Sequence, residues 1–407
     1  MSQSPGSTAR PPRAGAFCSC RRYRRWWPSR SSSPRTDLAA TKPSHRALAR
    51  RRPRANRTND IETPRVPLRQ FCRDLPKAEL HVHLEGCLEP ELLLALARRN
   101  QVAVPWQTAD QLRDAYQFRD LRSFLDLYFA GCLVLRNQQD FYELTAAQLD
   151  RAHQDGVAHT EIFFGPQTFT DHGVPVGSAL NGILDAIADA GERTGISASL
   201  LVSTHRHRSE SDAFALLDSV APWADRIAGF GMGGAEVGNP PEKFVRYFDE
   251  LRRQGFRTCV HAGEEGPADY VRQAFELLRP DRIDHGITIL DDQDLVREVA
   301  AAGTPLTVCP VSNVRLQVVP SLREHPLPRM LDAGLSVSLH SDDPAYFESG
   351  LAATFAAAAE HLDLDRATLT DLARNSVRAS FLPPAARQAL LARIDTVSGS
   401  IGGEARG

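Results

Sequence analysis

No stretch of this 407-residue chain reaches the run of about 18 apolar residues that a membrane-spanning helix needs. No Cys-x-x-Cys pair occurs among its seven cysteines, Cys18, Cys20, Cys72, Cys87, Cys132, Cys259 and Cys309. Neither a thiolate zinc site nor a disulfide framework is therefore expected, and the pattern suits a reducing cytoplasm. Acidic residues are scarce at the start: residues 1–70 hold 17 Lys and Arg against three Asp and Glu. The whole chain carries −2, so the remainder carries −16, which argues against a nucleic-acid surface on the folded part. The basic run Arg21-Arg22-Tyr23-Arg24-Arg25-Trp26-Trp27 lacks the apolar segment that an export signal requires, because Pro28 and a Ser-rich stretch follow.

What is present divides at about residue 70. Residues 1–70 are dense in Arg, Ser and Pro, without apolar periodicity, and read as a disordered basic tail or as translated sequence upstream of the true start. Residues 71–400 read as one domain. Eight strand-like runs follow one another: Glu79–His83, His159–Phe164, Ala198–Ser203, Ile227–Met232, Arg257–His261, Arg282–His285, Pro305–Cys309 and Ser336–His340. Between them lie amphipathic stretches such as Leu88–Arg99, Phe141–Gln154, Gly182–Thr194, Pro241–Gln254 and Asp292–Ala302. Alternation of this kind predicts a parallel α/β sheet, and eight units favour a closed (β/α)8 TIM barrel. The segment Val104–Asn137, rich in Leu, Phe and Tyr, is an insertion expected to form helices over the barrel mouth. Leu351–Ile394 reads as further helices at the C-terminus.

Five short segments carry the chemistry, each just after or at the end of a strand: His81-Val82-His83, His261-Ala262-Gly263-Glu264, Asp284-His285-Gly286, Cys309-Pro310-Val311-Ser312-Asn313 and Ser341-Asp342-Asp343-Pro344. A barrel brings all five to one face. His81 and His83, two apart on a strand, point the same way. With His261 and Asp342 they make three nitrogens and one oxygen, a set that suits a single zinc ion with a position left for water, whose pKa such an ion lowers toward about 7. Glu264 is placed to act as an acid, if burial or neighbouring charge raises its pKa. His285 can orient the water and accept its proton. Of the pair Asp342-Asp343, one can bind metal while the other meets substrate, since adjacent strand residues face opposite ways.

Together these motifs closely resemble the adenosine/adenine deaminase family of the amidohydrolase superfamily, from about Leu75 to Leu382. The resemblance includes Leu75-Pro76-Lys77-Ala78-Glu79-Leu80-His81-Val82-His83-Leu84-Glu85-Gly86 near the start, and Asp342-Asp343-Pro344, Asn375-Ser376 and Ser380-Phe381 near the end. It implies a (β/α)8 barrel, one Zn2+ per chain held by His81, His83, His261 and Asp342, and hydrolytic replacement of a purine 6-amino group in purine salvage. It also implies Glu264 as proton donor, His285 as water-orienting base, Asp343 on the purine N7, and a backbone amide near Gly234 on N3. The fourth strand ends in Gly231-Met232-Gly233 and lacks the lysine that bridges two metals in many related barrels, which points to one metal.

The substrate is expected to be adenine or an N6-substituted adenine. Adenosine deaminases usually carry Asp where Glu85 stands, and the longer Glu would intrude on ribose space. The segment Glu161-Ile162-Phe163-Phe164-Gly165-Pro166-Gln167-Thr168-Phe169-Thr170 resembles the adenine type, except that Gly165 stands for a carboxylate and Phe169 for a histidine. Gly165 leaves room and Phe169 is expected to add apolar surface, changes that a larger base would use. The alternatives are adenosine, deoxyadenosine or a modified nucleoside such as aminodeoxyfutalosine. A catalytically silent binding protein is a remote alternative, because every ligand and the acid are in place. No nucleic-acid or membrane partner is expected for the folded domain, and homo-oligomerisation is left open.

Overall fold

The computed structural model describes residues 67–402. Residues 1–66 of the expected tail lie outside the described residues, and the helix Leu68–Asp74 opens the fold. Among the described residues, eight parallel strands pair in chain order: β1 (Lys77–His83), β2 (Val157–Phe164), β3 (Ser197–His205), β4 (Ile227–Gly233), β5 (Arg257–Ala262), β6 (Arg282–His285), β7 (Leu306–Val308) and β8 (Val337–Leu339). A parallel bridge between Val82 and Asp342 joins the end of the sheet to its beginning. At this seam Asp342 N donates to His81 O at 3.0 Å, and His83 N donates to Asp342 O at 2.9 Å. The result is the (β/α)8 barrel expected from the alternation of strands and helices.

The barrel interior is layered. Arg282 and Glu161, both fully buried, meet at 2.6 Å, with the Phe381 ring 4.0 Å from the guanidinium. Above them Phe163, Leu201 and Cys259 form an apolar layer. Gly231 makes room for it, since a Cβ there would come within 2.6 Å of the Phe163 ring. Phe163 in turn lies under the site histidines, with its ring 5.3 Å from that of His83 and 5.7 Å from that of His81.

The insertion between β1 and β2 is helical, as expected, with helices Ala109–Asp114 and Leu121–Cys132. The second is started by a capping box in which Asp120 and Ser123 satisfy each other's backbone amides. Its residues 121, 124, 125, 128 and 129 recur at helical spacing and face the barrel mouth. After β8 come helices Leu351–Leu362, Arg366–Ala379 and Pro384–Gly402. The helix Arg366–Ala379 covers the seam: Ser376 Oγ accepts from Ala78 N on β1 at 3.1 Å, and Asn375 Nδ2 donates to Val337 O on β8 at 3.0 Å. Among the described residues no helix is long and apolar enough to cross a membrane.

Candidate active site

The strand ends bring nine of the predicted residues together. Seven of them, His83, Glu85, Gly234, His261, Glu264, His285 and Asp343, line one cleft with Asp342, and His81 lies buried beneath it. A register shift in β1 between Glu79 and Val82 marks where the strand turns toward this cleft; bulges of this kind re-aim side chains at barrel rims.

Four donor atoms converge. Asp342 Oδ1 lies 3.5 Å from His81 Nε2 and 3.4 Å from His83 Nε2, and His83 Nε2 faces His261 Nε2 at 3.1 Å. His81 Nδ1 lies 3.2 Å from the Thr307 carbonyl oxygen; donating its proton there leaves the Nε2 lone pair aimed at the cluster. That Nε2 is buried without a hydrogen-bond partner. Burial, reinforced by the neighbouring imidazoles, pushes His81 well below the ordinary histidine range. It takes His83 to about 3, although Asp342 pulls the other way. His81, His83 and Asp342 offer donor atoms within 4.8 Å of one another, with His261 beside His83, and imidazoles with a carboxylate are a donor set that fits a divalent metal.

Asp284, which sequence reasoning noted only as the neighbour of His285, holds this set from behind. Its Oδ2 lies 3.1 Å from His261 Nδ1, and its Oδ1 accepts from Thr307 Oγ1 at 2.7 Å. A carboxylate behind a ligating histidine fixes the ring and raises its basicity. Ser312 Oγ likewise donates to Asp342 Oδ2 at 2.7 Å. The signal for both was present, since they sit in motifs quoted above, but their partners are set by barrel geometry.

Asp342 and Asp343 do not divide by strand alternation. Asp342 has φ 67, in the left-handed region, and this kink lets both carboxylates reach the same cleft. His285, at φ 65, is likewise held in a conformation uncommon for its type, the kind of strain that collects at functional sites. Its Nε2 lies 3.6 Å from Glu264 Oε2 and 4.0 Å from Asp342 Oδ2. Burial pushes His285 well below its usual range, which favours the neutral imidazole. Burial pushes Glu264 well above the carboxylate range, and Asp342 adds to this. Asp343 is raised in the same way by burial and then by Asp342. In both, the shift favours the protonated form.

Glu85 is buried, with Oε1 accepting from Gly165 N at 2.8 Å. Gly165 lines the cleft, as expected, but Phe169 does not. Its ring is buried and packs against Phe164 at 5.4 Å and Phe141 at 4.9 Å, because the short helix Gln167–Thr170 turns it outward into the barrel–helix layer. The expectation of added apolar surface at Phe169 is thus corrected. The apolar wall comes instead from Leu121, Phe124, Leu125, Tyr128 and Phe129. His205, unassigned from sequence, also lines the cleft, and its Nε2 lies 2.9 Å from Thr168 Oγ1.

Known proteins resemble the chain over most of its described residues. Residues 76–397 match the family model described as adenosine deaminase. The adenine deaminase of Rhodopseudomonas palustris is 51% identical over 328 residues, covering 81% of this chain and 96% of that one. That of Cupriavidus taiwanensis is also 51% identical, covering 81% and 93%. Among solved structures, adenine deaminase from Arthrobacter aurescens superposes with a TM-score of 0.78 at 44% identity, covering 79% of this chain and 98% of that one. An amidohydrolase from Burkholderia ambifaria with bound Zn gives a TM-score of 0.75 at 29% identity, covering 84% and 96%.

Proposed function

The chain belongs to the adenosine deaminase family, and from that premise we propose that it hydrolyses adenine to hypoxanthine and ammonia with one zinc ion. The observation that carries this reading is the approach of four donor groups beside a buried Glu264, whose carboxyl burial pushes well above its ordinary range. His81, His83, His261 and Asp342 would hold the zinc. What zinc supplies when bound is a Lewis acid that makes water a nucleophile near neutral pH.

The chain's own groups do the rest. Asp343, kept protonated by burial, donates to the purine N7 and fixes the base with C6 toward the donor cluster. Glu264 gives its proton to N1 as water attacks C6, which removes the charge that would otherwise build on the ring. His285 Nε2 accepts the proton that the water loses. His285 returns that proton to the amino group, which leaves C6 as ammonia, while the hydroxyl formed at C6 gives its proton to Glu264 and the 6-oxo product remains. Leu121, Phe124, Leu125, Tyr128 and Phe129 keep bulk water from the reacting carbon, and the Gly234 backbone faces N3.

Glu85 selects the free base. In this pose the five-membered ring of the purine points toward Glu85, beside Asp343. A free base offers an N9–H that a carboxylate accepts, whereas a nucleoside brings a ribose into space that Glu85 fills.

The test is product release by the zinc-loaded protein, with adenine, N6-methyladenine, adenosine and aminodeoxyfutalosine side by side. Turnover of adenine with little on nucleosides is expected. Turnover of a nucleoside alone would overturn the substrate and leave the chemistry standing.

A further inference from the structure

Glu236 belongs to none of the roles above, yet it is the most heavily hydrogen-bonded carboxylate near the cleft. It follows β4, is 1% exposed, and accepts from four consecutive backbone amides beyond β5. Oε1 accepts from Gly263 N at 2.7 Å. Oε2 accepts from Glu264 N at 3.0 Å, Glu265 N at 2.8 Å and Gly266 N at 2.7 Å. Gly263, at φ +75, makes the turn, and a Cβ there would meet Val271 and Thr288. Successive amides in such a turn form a concavity for an anion, and here the anion is the chain's own carboxylate.

A second buried side chain closes the arrangement. Arg206, beyond β3, is fully buried. Its Nη1 lies 3.6 Å from Glu236 Oε1 and donates to the His261 carbonyl at 2.6 Å, while its Nε donates to the Asn239 carbonyl at 2.9 Å. One ion pair from two neighbouring strand ends thus holds the backbone of a metal-ligand candidate and of the proton donor together.

We propose that Glu236, backed by Arg206, is the positioning residue that sets the Glu264 carboxyl against the substrate ring nitrogen. The inference rests on the reading of Glu264 as the acid. Loops carrying a general acid gain little from average placement, since an error of about 1 Å at the reacting atoms costs on the order of 10²-fold in rate. Clamping the amides on both sides of Glu264 removes that error at its source. A carboxylate is required for this. Glutamine at 236 keeps one acceptor oxygen, and turning it toward three amides aims its NH2 at the Gly263 N–H and at Arg206.

The test uses the zinc-loaded enzyme and Glu236→Gln. The expected result is a kcat on adenine lower by about 10²-fold, with KM and zinc content kept, and at least roughly tenfold faster hydrogen exchange confined to the amides of residues 263–266. Should Glu236→Gln fail to fold, Glu236→Asp carries the same test. It retains both acceptors but withdraws them by one methylene, and a smaller kcat loss with the same localised exchange is expected. Unchanged kcat, or exchange that rises evenly over the whole barrel, overturns the proposal and leaves Glu236 a stabilising group only. If the wild-type protein deaminates no 6-aminopurine, the functional reading fails, while exchange at residues 263–266 still decides whether Glu236 holds the loop.

Discussion

At the scale of single residues the site separates protonation states by environment. Glu264, Asp343 and His285 lie within one cleft, and burial pushes the two acids above their ordinary range and the histidine below its own. Glu264→Gln should lower turnover by about 10²- to 10⁴-fold while metal analysis shows zinc retained; turnover near the wild-type level would remove Glu264 as the acid. Glu85→Gly should raise kcat/KM on adenosine relative to adenine, and an unchanged ratio would show that Glu85 does not select the base. Most of these side chains were legible in the sequence because each sits at the end of a recognisable strand. The roles of Asp284 and Glu236 were not, because their partners lie on or just beyond other strands and come together only when the barrel closes. Phe169 misled for a related reason: its place in a motif gave its distance along the chain but not the turn that sends it outward.

At the scale of elements, β2 links stability and site. Its Glu161 meets Arg282 in the barrel floor, and its Phe163 lies under the metal-ligand candidates. Glu161→Ala leaves a fully buried arginine uncompensated and should destabilise the fold by about 3–5 kcal/mol in denaturant melts. Burial alone would raise the Glu161 carboxyl, but Arg282 holds it below its usual 4.5. A depressed native value contributes stability that is present above pH 4.5 and lost as pH falls through the native value. Acid melts of wild type should therefore be steeper than those of Glu161→Gln. On β4, Gly231→Ala forces the Phe163 ring to shift and should cost about 1–3 kcal/mol, with weaker metal retention. Alternation of strands and helices predicted parallel strands, since these need crossovers, and the count of eight favoured closure. The lid helix Leu121–Cys132 was legible as an apolar insertion. Which of its faces closes the cleft follows from the spacing of Leu121, Phe124, Leu125 and Tyr128, a pattern that becomes specific only once a cleft exists beneath it.

At the scale of the whole molecule, all eight strands and every site residue named above lie within residues 67–402, and residues 1–66 read from their composition as a tail, so deleting them should leave melting temperature and adenine turnover unchanged. Removal of metal should do the opposite. A ligand held about a thousandfold above its Kd stabilises by about 4 kcal/mol. Chelation should lower the melting temperature by several degrees and zinc should restore it; a chelated protein that melts like the untreated one would argue against the proposed centre. The barrel seam adds a consequence in time. Asp342, which joins the sheet's last edge to its first, lies 261 positions along the chain from His81, and it is both a metal-ligand candidate and the seam's bridge. A chain still being synthesised therefore presents only imidazoles until residue 342 has emerged and docked. The cluster is assembled by the closing of the ring, so a truncated or misregistered product is silent, and hydrolysis itself reports that the barrel has closed in register.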